Sequence, residues 1–489
     1  MKSLVAAAAA LLFSVTAAGG VQAKPSDDNA VTEALARTMD GYVRNRDFNG
    51  VVLVARDGQV LLRRGYGTAS MEAGTPNTPD NLFRVGSLTK PLTAVLTLKL
   101  VEEGRLALDG TLARYLPDRY AGTPAANVTI EQLLAHTSGL RDVPGNYTDP
   151  WWRTTARQSF TPRDYMQAWI PGELASASGE WRYNNNAYYL LGVIIETVTG
   201  QTYAEALRDR VLAPAGMDRS GVFTATLAEP GLAAGYTRAS DGRMERPMYI
   251  DPSVSYAAAG VYASADDLLR FSQALDDGRL LGPAMRAEMF RDRGNQYGLG
   301  WNTLEWPAAS GTKTPIQMHT GSVPGYQTML IRSEADGGVV IVLDNFWQGQ
   351  TVVQLGRDLY DVLQGAEART PKRMLTELIT PIALTGDLQA MDAAWRAAPR
   401  EGAQAYDVSE GALNALGYAL MRNGRLPQAI RVFEWNVEAN PGSANVHDSL
   451  GEAYLAAGRR DDARASYGRA LALDPESASA RAALAALAE

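Results

Sequence analysis

Two strand-like stretches stand at opposite ends of one long segment, and they constrain the fold more than any other feature of the chain. The first is a hairpin: Val51 to Arg56 and Gln59 to Tyr66 read as strands joined at Asp57-Gly58, a dipeptide that tolerates the positive φ of a two-residue loop. The second runs from Thr314 to Leu343, breaks at Gly337-Gly338 and peaks at Val339-Val340-Ile341-Val342-Leu343. Between them, Leu106 to Asp218 reads as helices and loops rich in Gly, Pro and Trp. One sheet completed by distant strands, beside a separate helical lobe, satisfies both ends. A cleft between sheet and lobe is the expected place for a site.

Beyond Gly365 the sequence turns alanine-rich and repeats itself. Gly417, Gly424, Ala429, Phe433 and Pro441 recur as Gly451, Gly458, Ala463, Tyr467 and Pro475, each 34 residues on. Small residues at these positions let two helices approach closely, and Phe433 and Tyr467 fill the space between neighbours. Period and positions resemble the tetratricopeptide repeats. Gly386, Met391 and Trp395 keep the internal offsets of Gly424, Ala429 and Phe433 but sit 38 residues upstream, which reads as a degenerate first repeat. The array is expected to open with a helix pair over Met374 to Ala398 and to close with a capping helix over Glu476 to Ala488. His447 is expected on a helix surface. Stacked helix pairs form a concave groove, so a protein or peptide partner is expected at the repeats; a stabilising extension is the other use such an array has.

Composition narrows the chemistry. The 489 residues hold 46 Lys+Arg against 54 Asp+Glu, a net charge of -8 that offers no basic surface to nucleic acid. With no cysteine and three histidines, thiolate zinc, iron–sulfur and polyhistidine metal sites are not expected, nor is a cysteine nucleophile. No Gly-Lys dipeptide occurs, hence no P-loop, and no organic cofactor is implied. Met1 to Ala23 pairs one basic residue, Lys2, with an apolar run from Leu4 to Val15 and a small-x-small ending, Val21-Gln22-Ala23. This reads as an export signal cleaved after Ala23, and it points to the periplasm or the medium. No later segment reaches the about 18 uninterrupted apolar residues of a membrane span.

The helical run after Phe83 sets Ser87 and Lys90 three residues apart, so hydroxyl and amine share one face within a turn. An amine desolvated in a cleft can take the proton of a serine that is otherwise a poor nucleophile, and the helix start offers backbone N–H groups to an oxyanion. Farther on, Tyr183-Asn184-Asn185 sits on a loop entering a helix. There a phenol can relay protons, and the Asn185 amide can orient a substrate carbonyl or Lys90. His319-Thr320-Gly321-Ser322 lies in the late strand region, where Gly321 permits close backbone approach and the Ser322 N–H can complete an oxyanion hole. His136 reads as a structural hydrogen-bonding residue. No Gly-x-Ser-x-Gly occurs, which removes an α/β-hydrolase triad.

Ser87-x-x-Lys90, Tyr183-x-Asn185 and His319-Thr320-Gly321, in that order, resemble the penicillin-binding and class C β-lactamase-like serine hydrolases. Leu133 to Leu140, Ala258 to Ser264 and Gly325-Tyr326 add to the likeness, which spans about Phe48 to Leu363. The resemblance implies an α+β domain, an antiparallel sheet flanked by helices plus a helical lobe, over residues 24–365. A helical linker or degenerate repeat over 366–405 and an all-α repeat domain over 406–489 follow. It further implies that Ser87 is acylated, that Lys90 and Tyr183 transfer protons, and that Asn185, His319, Thr320, Gly321 and Ser322 serve substrate binding and the oxyanion. The implied substrate is a small peptide, amide or ester, with a D-amino-acid-specific peptidase or amidase ahead of an esterase or β-lactamase of the same fold. A different class, a non-catalytic scaffold that binds a partner through its repeats, has no use for Ser87, Lys90 and Tyr183 together. In that family the third motif supplies a cation for a substrate carboxylate; His319, mostly neutral at pH 7, holds an anion less firmly than lysine.

Overall fold

The computed structural model describes residues 28–145, 149–227, 229–239, 243–307, 313–347, 351–402 and 404–488. The export signal expected over residues 1–23 lies outside them. The chain divides into two compact units, one made of Met1–Val43, Phe48–Thr237 and Arg246–Arg369, the other of Arg44–Asp47, Arg238–Glu245 and Thr370–Glu489.

The first unit is built on a six-stranded antiparallel sheet. Helix α1 (Asp28–Arg46) leads into strands β1 (Gly50–Arg56) and β2 (Gln59–Tyr66), joined at Asp57 and Gly58, which take φ of 49° and 78°. Strand β3 (Phe83–Arg84) and helices α2 (Thr89–Glu102) and α3 (Asn185–Thr199) follow, then helix α4 (Pro252–Ala259), strand β4 (Val261–Ala263) and helix α5 (Ala265–Asp276). Strands β5 (Asn302–Pro307), β6 (Lys313–Val323), β7 (Tyr326–Arg332) and β8 (Gly338–Asp344) then run into helix α6 (Thr351–Leu363). The sheet order is β5-β6-β7-β8-β1-β2, so the amino-terminal hairpin is seated against the last strand, with Val51 opposite Leu343 and Leu53 opposite Ile341.

Both faces of that sheet are covered, which explains why its central strands read as unbroken apolar runs instead of alternating. Val51, Leu53, Ile341 and Leu343 pack towards α2 and the helical lobe. Val52, Val54, Val340 and Val342 pack on the opposite face under Leu35 and Met39 of α1 and Leu355 and Leu359 of α6. The expected lobe lies between: α3 and its neighbours bury Tyr188, Leu190, Leu191 and Ile194 in the same cluster as α2.

The second unit is helical. Helices α7 (Leu375–Thr385) and α8 (Leu388–Ala397) form the opening pair. Then come α9 (Glu410–Arg422) with α10 (Leu426–Ala439), α11 (Ala444–Ala456) with α12 (Arg460–Leu473), and the closing helix α13 (Ala478–Ala488). Gly417 faces the Phe433 ring, where a Cβ would come within 2.5 Å of it, and Gly451 faces Tyr467 at 2.9 Å. The 34-residue pairing of a glycine with an aromatic ring is therefore the contact that sets the spacing within each pair. The Trp395 ring stacks on Trp435 at 4.9 Å between centroids, with Met391 fully buried, so α8 packs on the array as a repeat helix does. His447 departs from its expected surface position. It is 9% exposed, with Nε2 3.2 Å from the Pro441 carbonyl, because the turn before α11 folds back over the ring.

Candidate active site

Ser87 sits where a strand ends and a helix begins. Strand β3 pairs with β4, and the chain then makes a short 3₁₀ turn over Gly86–Leu88 that runs directly into α2. Two glycines let this turn touch the edge of β6. Gly86 holds φ +55°, and a Cβ there would lie 2.6 Å from the Ser322 backbone nitrogen; a Cβ on Gly321 would drive into the Val85 carbonyl. The Thr328 hydroxyl on β7 donates to that same carbonyl at 2.7 Å. The turn that carries Ser87 is thereby held against the backbone of Gly321 and Ser322.

One turn into α2, Lys90 is fully buried, and its Nζ reaches Ser87 Oγ at 3.0 Å, Asn185 Oδ1 at 2.9 Å and the Ala258 carbonyl at 3.0 Å. Burial pulls its pKa from 10.5 to about 7, opposed by the negative charge of Asp142. The contacts fix what a neutral amine does here. It has two N–H donors and one lone pair, while the two oxygens on Asn185 and Ala258 can only accept. Both donors are thus taken, and the lone pair faces the Ser87 hydroxyl.

The orientation of Asn185 rests on Asp142, which the sequence reading did not single out. Asn185 Nδ2 donates to Asp142 Oδ2 at 3.1 Å, and the backbone N–H groups of Asn185 and Asn186 donate to Oδ1 at 2.8 and 3.1 Å. A carboxylate that only accepts leaves Asn185 one way round, with Oδ1 on Lys90. Burial raises the Asp142 pKa, against those N–H groups and Lys90, which lower it. Of the two uses foreseen for the Asn185 amide, orienting Lys90 is the contact present. The signal for Asp142 lay two residues past Leu133 to Leu140, a stretch already marked as family-like.

His136 brackets Tyr183. Its carbonyl accepts from Arg182 N at 2.7 Å and its Nδ1 accepts from Asn184 N at 3.1 Å, while its ring lies 4.3 Å from the Tyr183 ring. Burial, then the charges of Lys90 and His319, hold its pKa well below 6.5. His136 is therefore neutral and structural. Tyr183 spans the gap between motifs, with Lys90 Nζ 4.7 Å from its ring centroid and the His319 ring 6.4 Å away.

His319 points inward from β6 and is 2% exposed. Its Nδ1 is 2.6 Å from the Thr320 carbonyl, so it donates there, and Nε2 accepts from the Tyr297 hydroxyl at 3.2 Å. Burial and the nearby Lys90 push its pKa down to about 3, the Thr320 carbonyl opposing. The third motif thus presents a neutral ring at pH 7, with Thr320 half-buried and Ser322 exposed beside it. Tyr297 was not foreseen, since nothing in its own sequence neighbourhood marks it. Among the described residues no cluster of three or more His, Asp or Glu side chains could hold a metal ion, and no helix is long and apolar enough to cross a membrane.

The Beta-lactamase family matches residues 35–362, and the Tetratricopeptide repeat family matches residues 414–478 and 449–489. Penicillin-binding protein 4* of Bacillus subtilis (strain 168) is 32% identical over 317 residues, covering 61% of this chain and 68% of that protein. Esterase EstB of Burkholderia gladioli is 33% identical over 368 residues, covering 65% of this chain and 91% of that protein. Among solved structures, D-amino acid amidase from Ochrobactrum anthropi SV3, complexed with D-phenylalanine, is similar at a TM-score of 0.56 and 25% identity, covering 68% of this chain and 98% of that one.

Proposed function

The chain belongs to the beta-lactamase family, with tetratricopeptide repeats after that domain, and from this membership we propose a serine hydrolase that works through an ester on Ser87. Lys90 takes the Ser87 proton as Oγ attacks the substrate carbonyl. The oxyanion is held by the Ser87 and Ser322 N–H groups, and the proton passes to the leaving group by way of Tyr183. Water then attacks the acyl-enzyme, giving its proton to the same pair, and the acid is released with Ser87 restored. The observation that carries this reading is the Lys90 arrangement: a fully buried amine whose Nζ lies 3.0 Å from Ser87 Oγ, 2.9 Å from Asn185 Oδ1 and 3.0 Å from the Ala258 carbonyl.

His319 and the relatives support a reading of the substrate class. A neutral imidazole supplies no cation for a leaving group that carries a carboxylate, which weighs against a β-lactam or a free D-alanine leaving group. We read the enzyme as a D-amino-acid-specific peptidase or amidase that releases an uncharged or amine leaving group, in line with the likeness to D-amino acid amidase. An esterase is the second reading, favoured by the 33% identity to esterase EstB. The test is intact-protein mass spectrometry with a fluorophosphonate and a fluorescent penicillin, on wild type and Ser87→Ala, beside hydrolysis of D- and L-phenylalanine amides. We expect fluorophosphonate labelling that Ser87→Ala abolishes, and faster release from the D-amide. Labelling that survives in Ser87→Ala would refute the nucleophile; equal rates on the two amides would refute the stereochemical reading.

Residues 1–23 place the enzyme outside the cytoplasm in this reading, and the same mass spectra report it, since exported protein is expected to begin at Lys24. The repeats supply a docking surface for a protein or peptide partner; a chain ending near Gly365 is expected to keep its hydrolase activity and lose that partner.

A further inference from the structure

Helix α4 is broken from within. Its fifth residue, Tyr256, holds φ 35° and ψ −130°. That is close to the first central residue of a type II′ turn, a conformation that glycine adopts freely and a residue with a Cβ avoids. Its neighbours keep the tyrosine there. Between centroids its ring lies 4.8 Å from that of Tyr189 and 5.2 Å from that of Tyr203, and all three side chains are buried. On the α3 side Gly192 leaves the room the ring needs, since a Cβ there would come within 2.3 Å of Tyr256 Cε1 and 2.6 Å of the Ala257 Cβ. The Tyr256 carbonyl accepts from Gly260 N at 2.8 Å. Backbone strain of this kind persists only where the surroundings over-determine it, and it concentrates at functional sites.

The reversal decides where the next carbonyls go. The last carbonyls of a helix have no partner within it, and here they meet the side chains of α2. The Ala257 carbonyl accepts from Thr93 Oγ1 at 2.7 Å, and the Ala258 carbonyl from Lys90 Nζ at 3.0 Å. Thr89 Oγ1 then accepts from Val261 N at 3.0 Å, and the Val261 carbonyl accepts from Val85 N, also at 3.0 Å. The stretch after Tyr256 is thus tied along its length to α2 and to the start of the Ser87 turn. Of the three Lys90 Nζ contacts, Ser87 lies one turn away on the same run of chain and Asn185 is fixed by Asp142. The third, the Ala258 carbonyl, takes its place from Tyr256.

We propose that Tyr256 is a positioning residue for acyl transfer: its strained backbone, braced by the Tyr189 and Tyr203 rings, aims the Ala258 carbonyl at Lys90 and so holds the amine on Ser87. The proposal rests on the acyl-enzyme reading above. Tyr256 acts through the backbone of Ala258, so its φ angle and its packed ring matter, and its hydroxyl has no part.

The test follows fluorophosphonate labelling of Ser87 by intact-protein mass spectrometry and reads its time constant, which does not depend on how much of a variant is folded. Tyr256→Phe keeps ring and backbone and is expected to label at close to the wild-type rate. Tyr256→Ala loses the ring and still carries a Cβ that disfavours φ 35°. It is expected to label about 10²-fold more slowly, the scale of loss from a misplaced catalytic group. Tyr256→Gly loses the same ring but adopts the angle freely, and is expected to label about tenfold faster than the alanine variant. A side chain that only fills space gives the opposite order, because alanine fills more and is the better helix former. Gly192→Ala, which presses on the ring from α3, is expected to slow labelling by about tenfold. Tyr256→Ala labelling at the wild-type rate, or no more slowly than Tyr256→Gly, would overturn the proposal. An unchanged time constant in Gly192→Ala would overturn it too, and this variant decides if neither small one folds. Failure to label the wild type, or labelling that survives in Ser87→Ala, would instead overturn the acyl-enzyme reading.

Discussion

Lys90→Met lowers kcat/KM on amide or ester substrates by about 10²–10⁴-fold, the usual contribution of a positioned base, and it removes the acid limb of the pH profile. In the wild type that limb lies near pH 7, because the buried amine must lose its proton before it can accept one from Ser87. Activity therefore rises with pH through about 7. Stability follows the same group. The unfolded chain keeps the Lys90 proton up to its ordinary pKa of 10.5, while the folded chain gives it up from about 7. Between those values the unfolded state binds more protons, so the folded state gains stability as pH rises and loses it again as pH falls towards 7. Urea titrations at pH 7 and pH 9 should show wild type gaining about 2 kcal/mol more than Lys90→Met over that interval, by the linkage relation. Equal gains in the two proteins would mean that the amine is not desolvated as described.

Asp142→Asn is expected to cut kcat/KM by about 10²-fold, the scale of loss that goes with a misplaced catalytic group. The carboxylate fixes Asn185 through Nδ2 at 3.1 Å, and Asn185 in turn holds Lys90. The variant also carries a signature that simple loss of structure lacks. The negative charge of Asp142 raises the Lys90 pKa; without it the amine loses its proton at lower pH, and the acid limb of kcat/KM moves below 7. Asp142→Glu, which keeps the charge, is expected to leave the limb near its wild-type position. An unmoved limb in Asp142→Asn would reduce Asp142 to a purely structural acceptor.

The parts of this protein that were legible in its sequence are those whose chemistry is local. The Asp57-Gly58 turn, the Ser87 to Lys90 spacing and the 34-residue recurrence of Gly417 with Phe433 each depend on a few residues in one element, and each has its expected geometry. The protonation states were less legible, since they arise only when distant segments close around a group. Lys90 is stripped of water by α2, α3 and α4 together, and His319 is buried against Tyr297 from another part of the chain. Asp142 was missed for a similar reason: an aspartate after a turn looks like any solvated aspartate until three N–H groups from Asn185 and Asn186 converge on it.

The seating of β1 between β2 and β8 bears on how the molecule comes into being. Val51 and its neighbours emerge early from the ribosome, yet their partner Leu343 emerges only when nearly the whole hydrolase domain has been made. Pairing over such a sequence separation is slow, and until it happens an apolar strand edge stands unclosed and prone to stick to other chains. The same late strands carry Gly321 and Ser322, which complete the surroundings of Ser87. A nascent chain that has already made Ser87 and Lys90 therefore still lacks the Gly321–Ser322 edge that packs against the Ser87 turn, and those surroundings are completed only together with the sheet.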